Sequence, residues 1–142
     1  MATHTDEKLE LLKRTPLLAG LGRRDIEEVG RLADEVDLKA GHVLMRQGDP
    51  GREFFVVIEG EVSVERDGRH VAKVGPGGFV GDIALVTERP RTATVTTTEP
   101  SRFLVVGHRE FHTLMDQYPS IRMSVLESMA IMLRDLEPDV PH

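Results

Sequence analysis

The chain has 142 residues, 39% of them hydrophobic and 30% charged, and it has no cysteine. That length suits one domain, and a domain of this size buries roughly 70% of its unfolded surface, enough for a core without covalent staples. Without thiols there is no disulfide, thiolate zinc site, iron–sulfur cluster or cysteine nucleophile, and a reducing compartment suits the chain. Eighteen Lys+Arg against 24 Asp+Glu leave a net charge of −6, the wrong sign for a protein that lives on a nucleic-acid backbone. The longest strongly apolar run, Phe54-Phe55-Val56-Val57-Ile58, is far too short to span a membrane. The first residues carry no basic-then-apolar leader pattern. A cytoplasmic protein with no membrane and no DNA partner is the expectation.

In chain order, Asp6 to Arg14 reads as a short helix with Leu9 and Leu12 on one side. Residues 16–22 make a compact apolar turn, and a second helix from Arg23 to Ala33 buries Ile26, Val29 and Leu32. The period then changes. From Val36 to Val106 short apolar segments are cut by turns rich in Gly, Pro and Asp. In the segment from Glu61 to Glu65, Val62 and Val64 share one face, and Asp67-Gly68 signals a hairpin. Many short strands at this spacing argue for a sandwich or barrel. The helical period returns at His108 to Tyr118, grouping Phe111, Leu114 and Met115. Pro119 opens a last helix carrying Ile121, Val125, Leu126, Met129, Met132 and Leu133, with Pro138 and Pro141 ending it.

Few segments carry recognisable chemistry. His108 and His112 stand at i and i+4, but the glutamate follows the wrong residue for a zincin helix. The reading here is an ordinary helix start with one or two exposed histidines. His4, His42, His70 and His142 form no His-x-His pair, and none of the serines sits in a nucleophile elbow. The glycine-dense run 75–81 misses the dinucleotide fingerprint, because residue 80 is Val and no βαβ unit surrounds it. Gly81-Asp82-Ile83-Ala84-Leu85-Val86 suits a single helical turn whose free amides, around Ile83 and Ala84, would attract an anion. Read as a strand, Arg91 to Thr96 puts Arg91 on the same face as Ala93 and Val95. An inward guanidinium needs an anion or an escape to water. Two readings stand level on this chemistry: Arg91 pairs with Asp82 or snorkels outward, or it holds a phosphate with the turn's amides.

At these residues the chain resembles the cyclic-nucleotide-binding domain family. The stretch from Phe79 to Val95 is similar to its phosphate-binding cassette. A second match runs from Gly41 through Gln47-Gly48-Asp49-Pro50-Gly51 and Phe54–Ile58 to Val64. Pro16-Leu17-Leu18 with Gly20-Leu21 resembles the entry turn. The resemblance implies a mainly β fold: a jelly-roll-like antiparallel β-roll of about eight strands between N-terminal and C-terminal helices. It divides the chain into a helical lead (1–14), the binding domain (15–136) and a tail (137–142). It assigns Arg91 to the cyclic phosphate, with amides near Gly81, Ile83, Ala84 and Ala93, and Asp82 to the ribose 2′-hydroxyl. Val62 and Val64 would wall the base. The family usually carries Glu where Asp82 stands, a side chain one methylene longer. It also normally adds a long helix over the base, for which the chain is too short after Pro138. Thr92 suits either nucleotide, and cAMP is favoured over cGMP as the family's commoner ligand.

The function expected on this resemblance is a regulatory module with no catalysis of its own. It would bind a cyclic nucleotide and signal to an unidentified effector protein by rearranging its cassette and flanking helices. The missing dimerising helix points to a monomer or weak dimer. The alternative is a degenerate β-roll that serves only as a protein-interaction domain. A catabolite-activator type of transcription factor does not fit, because only 24 residues follow Tyr118. A metal-dependent jelly-roll enzyme is a distant third.

Overall fold

Two amphipathic helices open the chain. The computed structural model describes residues 4–136. Helix α1 (Thr5–Lys13) is capped by the His4 ring and buries Leu9 and Leu12; α2 (Arg23–Leu32) buries Ile26 and Val29. Between them Leu17, Leu18 and Leu21 are at most 1% exposed, so the apolar turn is part of the core. Among the described residues eight strands follow: β1 (Asp34–Leu38), β2 (Val43–Met45), β3 (Glu53–Glu59), β4 (Val62–Arg66), β5 (Arg69–Val74), β6 (Phe79–Val80), β7 (Thr94–Thr97) and β8 (Ser101–Gly107). A single 3-10 turn, Asp82–Leu85, interrupts them, and α3 (His108–Gln117) and α4 (Pro119–Leu136) close the described chain.

The strands form two four-stranded sheets, ordered β1-β8-β3-β6 and β2-β7-β4-β5, in which neighbouring strands run antiparallel. This is the expected β-roll. The apolar run of β3 is explained by its position, since both faces are buried. Phe54 and Val56 face the helices, in one cluster with Leu9, Leu12, Phe111 and Ile121. Phe55 and Val57 face the other sheet, in a second cluster with Met45, Val62, Val95 and Phe103. Helix α1 thus shares the core of the β-roll.

The hairpin at Asp67-Gly68 forms as expected. Both residues take positive φ, 53° and 77°, the paired left-handed geometry that a two-residue turn between twisted strands needs. Gln47 locks it from outside, donating to Asp67 Oδ1 and accepting from the Asp67 amide, each at 2.8 Å.

Two expectations are corrected, the start of one strand and the exposure of two histidines. The strand read from Arg91 begins only at Thr94. Arg91 instead pairs its backbone with the loop at 48–49: its amide donates to Asp49 O at 2.7 Å and its carbonyl accepts from Gly48 at 2.9 Å. Pro50 and Pro90, which face each other in this ladder, have no amide to extend it. In α4, Leu126 and Leu133 are 53% and 64% exposed, whereas Ile121 and Val125 are buried and Met129 and Met132 pack partly on the core. Pro138 and Pro141, read as helix stops, lie outside the described residues. Lastly, His108 and His112 are half-buried rather than exposed, their rings set against the carbonyls of Ala84 and Val86.

Candidate functional site

The 3-10 turn, the loop before β7 and the inner face of β4 enclose a cavity of about 310 Å³. Gly81 begins the turn in left-handed geometry, φ 76°, where a side chain would be strained. Asp82, Ile83 and Ala84 follow on the turn, and Arg91, Thr92 and Ala93 line the opposite wall with Val64. The structure therefore gathers eight of the nine residues singled out from sequence. Val62 lies outside the lining, at 0% exposure in the core between the sheets. Met45, Phe79 and Val80 extend the apolar wall beyond those residues, and Arg66 and Arg89 add cations to the lining. Arg66 lies two residues past Val64 on β4, so strand alternation was the available signal for it.

Arg91 is the half-buried cation of this cavity. Its Nη2 donates to the carbonyl of Glu53 at 2.6 Å. The guanidinium lies between two glycines: a Cβ on Gly51 would stand 3.5 Å from Cζ, and one on Gly81 would stand 2.5 Å from Nη1. Burial lowers its pKa and the Glu53 carboxylate works against that, but a guanidinium remains charged. Asp82 is the acid of the same cavity. Burial raises its carboxyl pKa above the ordinary 3.8, while the amides of Asp82 and Ile83 pull it back. Among the described residues no ion pair joins Asp82 and Arg91, nor Arg91 to any carboxylate. The site is a half-buried guanidinium and a half-buried carboxyl that share one cavity lining without pairing.

The amides differ from the sequence reading. Ala84 N–H donates to Gly81 O at 3.0 Å, so it is engaged within the turn. A 3-10 turn closes its bonds over three residues and takes up a donor that an α-helical start would leave free. The Ile83 amide faces the Asp82 carboxylate, and Ile83's own side chain stands 47% exposed at the rim. Thr92 is exposed, and its carbonyl accepts from Arg66 Nε at 3.1 Å.

Residues 35–118 match the cyclic nucleotide-binding domain as a family. The chain belongs to that family. This cyclic nucleotide-binding domain is 31% identical to a cAMP-dependent protein kinase regulatory subunit from Dictyostelium discoideum, over 74% of the chain and 35% of that protein. It is 34% identical to a cyclic nucleotide-gated potassium channel from Mesorhizobium japonicum, over 79% of the chain and 31% of the channel. The domain thus spans about a third of the length of these relatives. Among solved structures it resembles the N-terminal domain of a transcriptional regulator from Streptomyces coelicolor, with a TM-score of 0.81 and 34% identity over 90% of this chain and 93% of that one. It also resembles the regulatory domain of Toxoplasma gondii PKA with cAMP, with a TM-score of 0.71 and 30% identity over 78% of this chain and 44% of the other. No helix among the described residues is long and apolar enough to cross a membrane.

Proposed function

We propose that this domain binds cAMP in preference to cGMP, without turning it over, and reports occupancy to an effector protein. One observation carries the reading: Arg91 lines the cavity with its guanidinium held by a backbone carbonyl and in no ion pair among the described residues. A cyclic phosphate carries one negative charge, and a guanidinium meets two of its oxygens with a planar fork. In this reading Arg91 holds the phosphate with the amides of Ile83 and Ala93, and Asp82 accepts from the ribose 2′-hydroxyl. Asp82 is one methylene shorter than the family's usual Glu, so a bridging water or a small backbone shift completes that contact. Val64, Met45 and Val95 offer an apolar surface to the rest of the nucleotide.

The reading favours an effector protein because large apolar side chains are exposed along α4. Met123, Leu126, Ile131 and Leu133 are each more than half exposed there. A cytoplasmic module, monomeric or weakly dimeric and without DNA contacts, is part of the same proposal. Calorimetric titration of cAMP and cGMP side by side is the test. One molecule bound per chain, cAMP the tighter, is expected. Heat from neither nucleotide would overturn the reading in favour of a β-roll that serves only protein contacts.

A further inference from the structure

His108 and His112 stand on consecutive turns of α3, yet neither points to open solvent. His108 Nδ1 lies 2.6 Å from the carbonyl oxygen of Ala84, and His112 Nε2 lies 3.2 Å from that of Val86. Both carbonyls belong to the turn that carries Asp82 and forms one wall of the cavity. The two rings lean on each other with centroids 4.1 Å apart, which restricts their rotation. A carbonyl oxygen only accepts, so Nδ1 of His108 and Nε2 of His112 each carry a proton toward it. The remaining nitrogen of His108, Nε2, faces Glu88 Oε1 at 3.6 Å. The start of α3 is itself anchored, because the His108 amide donates to Arg52 O at 2.8 Å. The next carbonyl, that of Glu53 at the start of β3, holds Arg91.

We infer that His108 and His112 are positioning residues that latch the 82–86 turn to α3. The turn is short, and its own bonds run Ala84 N–H to Gly81 O, with Val86 N–H and Thr87 N–H both meeting Ile83 O. A 3-10 turn of four residues has too few internal bonds to hold one geometry unaided. Two donors from one helix, meeting alternate carbonyls, fix both its height and its tilt. The consequence for affinity rests on the proposed nucleotide reading: a turn held in place loses less freedom when a ligand meets Asp82 and the Ile83 amide. The same two bonds join the cavity wall to a helix whose far end leads into α4, so movement of the turn is carried to α3.

The test uses isosteres. Asn reproduces the Nδ1–H donor of His108 and Gln the Nε2–H donor of His112, whereas Ala removes each donor. Amide exchange of Ala84 and Val86, followed by NMR, reads the latch without any ligand. Exchange is expected to speed up about fivefold in His108→Ala and His112→Ala, and to return close to wild type in His108→Asn and His112→Gln. Affinity for cAMP is expected to fall and recover in the same pattern. Unchanged exchange in both Ala variants, or isosteres as fast as Ala, would overturn the latch. If wild type binds neither nucleotide while exchange follows the expected pattern, the latch stands and the nucleotide reading falls. A globally unfolded Ala variant would raise exchange throughout the chain, and the folded isosteres then decide. Ring nitrogen shifts placing the protons on the opposite nitrogens would also overturn the proposal.

Discussion

Gly81 and Arg91 compete for the same space: a Cβ on residue 81 would stand 2.5 Å from Arg91 Nη1 and 3.0 Å from Glu53 O. The first conflict displaces the guanidinium and the second strikes backbone. Positive φ at residue 81 adds a conformational cost of about 1–2 kcal/mol for any side chain. Gly81→Ala is therefore expected to lower the melting temperature by roughly 5 °C and to weaken cAMP binding at least ~tenfold. Scanning calorimetry and titration of the variant check both. Wild-type affinity in Gly81→Ala would show that Arg91 does not need its place between the two glycines.

Arg91 itself gives the most direct binding prediction. Charged hydrogen bonds of the kind proposed are worth about 1.5–3 kcal/mol each, so Arg91→Ala should lose at least a hundredfold in affinity. Arg91→Lys keeps the charge but loses the fork, and an intermediate loss is expected. Nucleotide at 100 times its dissociation constant should stabilise wild type by about 2.7 kcal/mol. A melting-temperature rise that persists in Arg91→Ala at the same nucleotide concentration would remove Arg91 from the site.

Asp82 separates stability from binding. Its folded carboxyl pKa is raised above 3.8 by burial, so the folded state holds a proton that the unfolded state has already released. Its contribution to stability is therefore present below pH 3.8 and is lost as pH rises through the raised value. Asp82→Asn, which never ionises, should melt above wild type at pH 7, with the gap closing as pH falls toward 3.8. The same variant should bind cAMP about tenfold more weakly, because the amide is a poorer acceptor for the ribose hydroxyl. Melting curves across pH and one titration test the pair. Equal melting at pH 7, or unchanged affinity, contradicts the corresponding half.

The exposed apolar side chains of α4 set the expected assembly. A stable dimer needs about 800 Å² buried on each partner, more than Met123, Leu126, Ile131 and Leu133 supply together. Light scattering at low micromolar concentration should give a monomer, and a dimer there would count against the proposed state.

Nucleic acid is the remaining partner to test. Arg23, Arg31 and Arg102 are each paired with a carboxylate, which leaves no cationic stripe among them. A gel shift with random and palindromic duplexes should show no complex at physiological salt. Nanomolar binding that survives such salt would reverse the expectation.

Local pattern was enough for much of this domain. The Asp67-Gly68 hairpin, the alternation of β4 and the helical spacing of Ile26 and Val29 depend on neighbours a few residues apart, and the structure bears them out. The order of motifs was equally legible, since the Phe79–Val95 stretch carries the family resemblance in its own residues. Tertiary structure decided what each inward residue meets. Val62 and Val64 share a strand face, but closure of the two sheets sinks Val62 into the core and leaves Val64 on the cavity. Arg91 finds the Glu53 carbonyl 38 residues away, and Asp82 finds no cation among the described residues. His108 and His112 looked like surface histidines because their partners, Ala84 and Val86, lie 24 and 26 residues earlier. Spacing reports which residues share a face; only the packing of sheets and helices determines which carbonyl, charge or cavity that face meets.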